Sequence, residues 1–200
     1  WISKARFDYI LGRQNHPDHY REILFLKRDY WLIRDYVNAS GAHQIKTWLH
    51  FDSNLEPLRG NDHALRVVKE NAALNVATFA ERGEWVRESG WVSHCYGKRE
   101  EAPVFAFSLP SNGSAELITF LLPETALAGV KPEVREFEAL GGRAFEVNFN
   151  GKHDIILLRG KSPSQVETAR FASDFDFVWL RFANEQARRP EELVLIGGST

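Results

Sequence analysis

A recurring run of β-branched and aromatic residues, four to nine long, is broken by turn-forming residues every 10 to 15 positions, and this pattern leaves little room for anything but strands. Such runs predict strands at Glu22–Lys27, Tyr30–Tyr36, His43–Phe51, Ala64–Glu70, Ala73–Ala80, Val104–Leu109, Ala115–Leu122, Ala144–Phe149, His153–Leu158, Thr168–Ala172, Asp176–Ala183 and Leu193–Ile196. Between them stand "NASG", "RGND", "KENA", "LPSNGS", "EALGG", "FNGK" and "NEQARRPEE". Asn150-Gly151 is the strongest hairpin signal, because both residue types accept positive φ. "PEVREFEAL" fits a short helix or a strand, with Pro132 and Gly141 bracketing it. About a dozen short strands without a long helix predict an all-β fold, an antiparallel β-sandwich in a single domain over residues 1–200.

Within "HQIKTWLHF", alternation puts His43, Ile45, Thr47, Leu49 and Phe51 on an inward face. Gln44, Lys46, Trp48 and His50 share the other. The stretch "YREILFLKRDYWLIRDYV", residues 20–37, reads as two strands joined at Lys27, Arg28 and Asp29. Ile23, Phe25, Trp31 and Ile33 are expected in the core, with Arg21, Arg34 and Asp35 making polar contacts at a sheet edge or against another domain.

The charge balance, 25 basic against 27 acidic residues, gives no bulk electrostatic case for nucleic acid. No apolar run is long enough to suggest a membrane helix. The single cysteine, Cys95, excludes an internal disulfide and is expected to be a buried, inert thiol; its neighbour His94 points to the opposite face and forms no dyad with it. There is no Gly-x-Ser-x-Gly elbow, and no carboxylate pair can be set at glycosidase spacing. The chain opens at Trp1 and contains no methionine, which reads as a processed piece or a fragment of something longer.

Two constellations invite chemistry. His19, Asp35 and His50 are a reasonable zinc set by residue type. If "NASG" closes a simple hairpin, however, Asp35 lies beside Gln44 and about 20 Å from His50. The second is "GEWVRESGWVSHCYGKRE", where Trp85, Arg87, Trp91, His94, Tyr96, Lys98 and Arg99 crowd together. Aromatic rings stack on sugar faces, and Arg pairs bidentately with uronate or sulfate. Trp91, Tyr96 and Arg99 are the candidate substrate-binding residues. Against this, Trp91 also suits a core position and Arg99 could pair with Glu100 or Glu101.

"HYREILFLKRDYWLIRDYVNASGAHQIKTWLHF", with "GWVSHCYGKREEAPVFAFSL" and "ITFLLPETA" downstream, resembles the C-terminal β-sandwich region of the heparinase II/III-like polysaccharide lyases. The matching positions are Arg21, Ile23–Phe25, Tyr30–Trp31, Asp35, His43 and His50–Phe51. The resemblance implies a parent enzyme with an N-terminal helical toroid followed by this sandwich. It implies β-elimination on an acidic polysaccharide, heparan sulfate- or alginate-like, and a periplasmic or secreted bacterial home. In that family the catalytic Asn, His, Tyr and Arg lie mainly on the toroid. Metal ligands occupy a His-x-His-x-Asp pattern, a later Asp before Gly and a His-Asn pair. None of those patterns occurs in this sequence, so no catalytic or metal residue is carried over. No cofactor is expected in this piece, although a structural metal in the parent fits the resemblance. The alternative is a non-catalytic carbohydrate-binding or structural β-sandwich.

Overall fold

The computed structural model describes residues 1–15, 18–61, 63–125 and 131–198. Among these there is no helix, and none therefore long and apolar enough to cross a membrane. The strands are β1 (Ile2–Ser3), β2 (Phe7–Asn15), β3 (Asp18–Leu26), β4 (Trp31–Asn38), β5 (Ala42–His50), β6 (Leu58–Asn61), β7 (Ala64–Lys69), β8 (Ala72–Phe79) and β9 (Glu84–Val92). They continue with β10 (Glu100–Asn112), β11 (Ala115–Thr125), β12 (Glu133–Phe137), β13 (Gly142–Phe149), β14 (Lys152–Arg159), β15 (Val166–Glu167), β16 (Ala172–Ser173), β17 (Phe177–Phe182) and β18 (Glu192–Ile196). The chain divides into two compact units, Trp1–Ala128 and Gly129–Thr200.

The first unit is a sandwich of an eight-stranded antiparallel sheet, order β1-β2-β3-β4-β11-β8-β7-β6, and a three-stranded sheet, order β5-β10-β9. Its interior joins Leu65, Val67, Val76 and Leu117 of the large sheet to Trp85, Phe105, Phe107 and Leu109 of the small one, with Phe51 at the margin. Trp85 meets Phe107 edge to face at 5.4 Å. Each fully buried aromatic of this kind is worth about 1.5–3 kcal/mol against exposure.

The β3–β4 hairpin turns at Lys27–Asp29, with Arg28 at φ 72° and Phe25 opposite Trp31. Its faces are the reverse of the expectation. Leu24, Leu26 and Leu32 are buried, whereas Ile23, Phe25, Trp31 and Ile33 are half-buried. Both faces of this hairpin carry apolar residues, so alternation alone cannot tell which is covered more. Arg34 shares the face of Leu32 and is buried, because two carboxylates meet it there: Glu116 at 2.7 Å and Glu22 at 3.5 Å.

The "NASG" segment is not a simple hairpin. β4 lies between β3 and β11, while β5 pairs with β10 in the other sheet. Gly41, at φ +79°, lets the chain cross the sandwich and accepts a hydrogen bond from Gly113. The "RGND" turn reaches Asp62, which lies outside the described residues.

The second unit is built on the antiparallel sheet β12-β13-β14-β17-β18, with the short pair β15-β16 beside it. One sheet face carries Ala144, Ile155, Leu157, Val178 and Phe182, packed with Val166. On the other face a buried Asp154 takes Arg181 bidentately at 2.7 and 2.8 Å, and Trp179 Nε1 donates to it at 3.0 Å. Asn150 and Gly151 both hold positive φ and close the β13–β14 hairpin as predicted. "PEVREFEAL" resolves as strand β12. Thr168–Ala172, predicted as a strand, is mostly the turn between β15 and β16. There the Thr168 hydroxyl accepts from the backbone N–H of Arg170 and Phe171, and this local bonding replaces strand pairing.

Candidate functional site

β9 and β10 are neighbours in the small sheet, with Trp91 opposite Glu101. The connection between them, Ser93–Arg99, is exposed throughout. Its shape is set locally: the Lys98 N–H donates to the Cys95 carbonyl at 3.2 Å. The Ser93 hydroxyl lies 2.9 and 2.6 Å from the carbonyl oxygens of Cys95 and Lys98. Gly97 takes φ +77° inside this loop.

The structure brings Trp91 and Arg99 together. Trp91 is 54% exposed and not a core residue. The Arg99 guanidinium lies over its ring, 4.4 Å from the centroid. Tyr96 stands fully exposed at the loop tip. Arg99 does not pair with Glu100 or Glu101, and Glu100 instead accepts from the Ser53 hydroxyl at 2.9 Å. Among the described residues neither Arg99 nor Lys98 has a carboxylate partner. His94 sits 3.2 Å from Asp52, which also receives Lys69 at 3.4 Å. Partial desolvation pulls the Asp52 carboxyl up, but the Lys69 hydrogen bond and the His94 charge outweigh it and hold the group below its ordinary range. Cys95 is exposed, not buried as expected, because it lies on this loop rather than in a strand.

Beside this corner is a hollow of about 300 Å³, bordered by Ser53, Glu56, Arg87, Ser89 and Glu101. Glu101 links it to Trp91 through the strand register. Arg87 lies in the hollow already paired with Glu56, at 3.0 Å.

The outer face of the small sheet carries a second aromatic, on the β5 face that alternation set opposite the inward one. Trp48 is 49% exposed, and its Nε1 donates to Glu88 at 3.1 Å. Lys46 holds the other Glu88 oxygen at 2.7 Å. These hydrogen bonds, Lys46 first, keep the Glu88 carboxyl below its ordinary range. Ala106, paired with Trp48 across the sheet, is fully buried although it is on the outer face. The alternation of Lys46, Trp48 and His50 was the available signal for this face.

His19, Asp35 and His50 do not form a metal site. His19 Nε2 is 2.7 Å from Asp35, but Arg21 straddles both oxygens of that carboxylate at 2.7 and 3.0 Å. A guanidinium therefore stands where a metal would have to bind. His50 is exposed on β5 opposite Val104, in the other sheet. Among the described residues no group of three His, Cys, Asp or Glu side chains is placed to hold a metal.

No protein-family profile matches the chain. In sequence it is 25% identical over 153 residues to a heparin-sulfate lyase of Pedobacter heparinus, an alignment covering 70% of this chain and 23% of that protein. The chain thus spans about a quarter of the length of the curated relative it matches. In fold it superimposes on a heparan sulfate lyase of Pedobacter heparinus with a TM-score of 0.68 at 19% identity, over 80% of this chain and 27% of the other. A heparinase III gene product gives 0.65 at 20% identity, over 80% and 27%. A further heparinase III gives 0.62 at 12% identity, over 76% and 26%. Sequence and fold agree: over the region that these matches cover, this chain resembles the heparinase II/III-like polysaccharide lyases.

Proposed function

We propose that this chain is the C-terminal β-sandwich portion of a bacterial polysaccharide lyase. The parent cleaves a uronic-acid-containing polysaccharide, heparan sulfate- or alginate-like, by β-elimination. Its catalytic residues lie upstream of Trp1, on an N-terminal helical toroid, and the piece alone is inactive. A polymer of this size does not cross a membrane unaided, so the parent works in the periplasm or outside the cell. The names of the relatives support the reaction class.

The observation that carries the reading for this chain is Arg99, a cation braced on Trp91 with no carboxylate partner among the described residues. β-Elimination needs the uronate carboxylate neutralised, a base at the adjacent C–H and departure of the glycosidic oxygen. The sandwich contributes binding to that sequence. Arg99 and Lys98 meet carboxylate or sulfate, Trp91 stacks on a sugar face, and Tyr96 adds a ring and a hydroxyl at the loop tip.

Titration of the chain with heparan sulfate and alginate oligosaccharides, followed by tryptophan fluorescence, tests the surface. Arg99→Ala removes a charge-assisted contact worth about 1.5–3 kcal/mol and should weaken binding about 10- to 100-fold. Unchanged binding in both Arg99→Ala and Trp91→Ala would refute it. The parent, with its upstream segment, should release an ultraviolet-absorbing unsaturated uronate from one of heparan sulfate, alginate, hyaluronan or pectate. Turnover by the piece alone would overturn the upstream placement. The second reading, a non-catalytic carbohydrate-binding sandwich, draws on the half-exposed Trp48 and would be favoured by silence of the parent on every substrate.

A further inference from the structure

The second unit holds a cavity of about 380 Å³ between the β12-β13-β14 sheet face and the Thr168–Phe171 turn. Its size is within the range of small-ligand sites, roughly 300–1,000 Å³. Phe137 and Phe171 supply apolar walls, and His153, only 4% exposed, borders it from β14.

The hydrogen bonds fix which atoms face the space. Asn148 Nδ2 donates to Glu185 at 3.2 Å, so Asn148 Oδ1 is the acceptor that meets His153 Nδ1 at 3.0 Å. His153 Nδ1 therefore carries the hydrogen, and in the neutral ring Nε2 is a bare acceptor. It stands 3.5 Å from Glu146 Oε1, too far for a good hydrogen bond. Arg135 directs its Nε and Nη2 donors to the other Glu146 oxygen. The partly exposed Glu146 Oε1 thus stands beside the buried His153 Nε2 at the edge of the cavity. Opposite, Arg170 is braced on Phe171 at 5.0 Å and Phe182 at 5.1 Å and donates to the Ala187 carbonyl. Among the described residues it has no carboxylate partner, and its remaining N–H groups are available. The lining holds three carboxylates, Glu138, Glu146 and Glu185, against the two guanidiniums, which disfavours an anion.

We propose that this cavity binds a neutral, hydroxyl-rich saccharide unit. His153 Nε2 and Glu146 Oε1 accept from neighbouring hydroxyls, Arg170 donates to a third oxygen, and the C–H faces of the ring lie on Phe137 and Phe171. The site is independent of the Trp91 corner, and its ligand chemistry is the opposite of the acidic glycan assigned there.

The test is amide and aromatic NMR on the 200-residue chain. The probes are cellobiose, maltose and N,N′-diacetylchitobiose, with a sulfated, uronate-containing disaccharide as the anionic control. At least one neutral disaccharide should shift His153 and Phe171 signals. Glu146→Gln, which keeps the shape, should weaken that binding about tenfold, as should Phe171→Ala, while Trp91→Ala leaves it unchanged. Spectra of each variant without sugar report whether the unit is still folded. The proposal is overturned if no neutral sugar shifts these signals, if the shifts map to Trp91 and Tyr96, if Glu146→Gln binds like the wild type, or if the anionic control binds as tightly. Loss of acidic-glycan binding in Trp91→Ala with this binding intact would separate the two sites.

Discussion

Replacing Arg34 with methionine removes a guanidinium whose side chain is 5% exposed, 2.7 Å from Glu116 and 3.5 Å from Glu22. Burial alone would lower its hold on the proton. Glu116 and then Glu22 more than offset this, so the group stays firmly charged. Methionine fills much of the volume of the arginine stem, so the main loss is electrostatic. Two carboxylates with side chains 11% and 22% exposed lose the Arg34 guanidinium. Stripping one partner from a buried ion pair costs about 3–5 kcal/mol, and the partial exposure of Glu116 places this case near 3. Arg59→Met is the surface control: its pair with Glu84 has side chains 39% and 52% exposed, and its loss costs about 0–1 kcal/mol. In urea melts of the chain, a slope of about 1.5 kcal/mol per molar converts these into a midpoint shift of about 2 M for Arg34→Met and well under 1 M for Arg59→Met. Equal shifts would refute the reasoning. Combining Arg34→Met with Glu22→Gln and Glu116→Gln should recover more than half of the loss. A triple variant no better than the single would mean that packing, not charge, was lost.

The carboxyl of Glu88 is held below its ordinary 4.5 by Lys46 and then Trp48. A depressed folded value means that its stabilising contribution is complete above 4.5 and is lost as pH falls through the lowered value. The stability difference between wild type and Glu88→Gln should stay flat down to about pH 5 and shrink in more acid solution, and a difference that grows there would be wrong in sign. Gly141 has φ +72°, and an added Cβ would press on the Gln165 carbonyl oxygen, whereas Gly97 at φ +77° has open space. In thermal melts Gly141→Ala should therefore lose about 1–3 kcal/mol more than Gly97→Ala, and equal losses would remove the steric argument.

The strand runs with unmixed apolar character were legible: β3, β4, β11, β13, β14 and β17 fall where alternation and turn residues put them. β2 was not, because Gly12, Arg13 and Gln14 dilute its pattern at the sheet's outer side. β9 was read as a ligand stretch rather than a strand, since Glu84, Arg87, Glu88 and Ser89 sit between its aromatics. Arg34 looked like an edge residue because its partner Glu116 is 82 positions away, and no local pattern carries that information. The crossing from β4 to β5 was hidden for the same reason: the pairing of β4 with β11 is long-range, so "NASG" resembled any hairpin turn. At the candidate surface, composition identified Trp91 and Arg99. That Arg99 chooses the indole over Glu100 and Glu101, and that Cys95 is exposed, follows from the fold of the Ser93–Arg99 loop, which no local pattern carries.

The Ser93–Arg99 connection has a consequence for how such a surface can diversify. Its closure uses its own Ser93, Cys95 and Lys98 atoms, and it leaves and rejoins the sheet at paired neighbours, Val92 and Glu100. Nothing in the packed interior depends on the identity of Tyr96, Lys98 or Arg99. The loop is thus an exchangeable cassette. Substitutions there exchange one charge pattern for another while the sandwich beneath keeps the same sequence constraints.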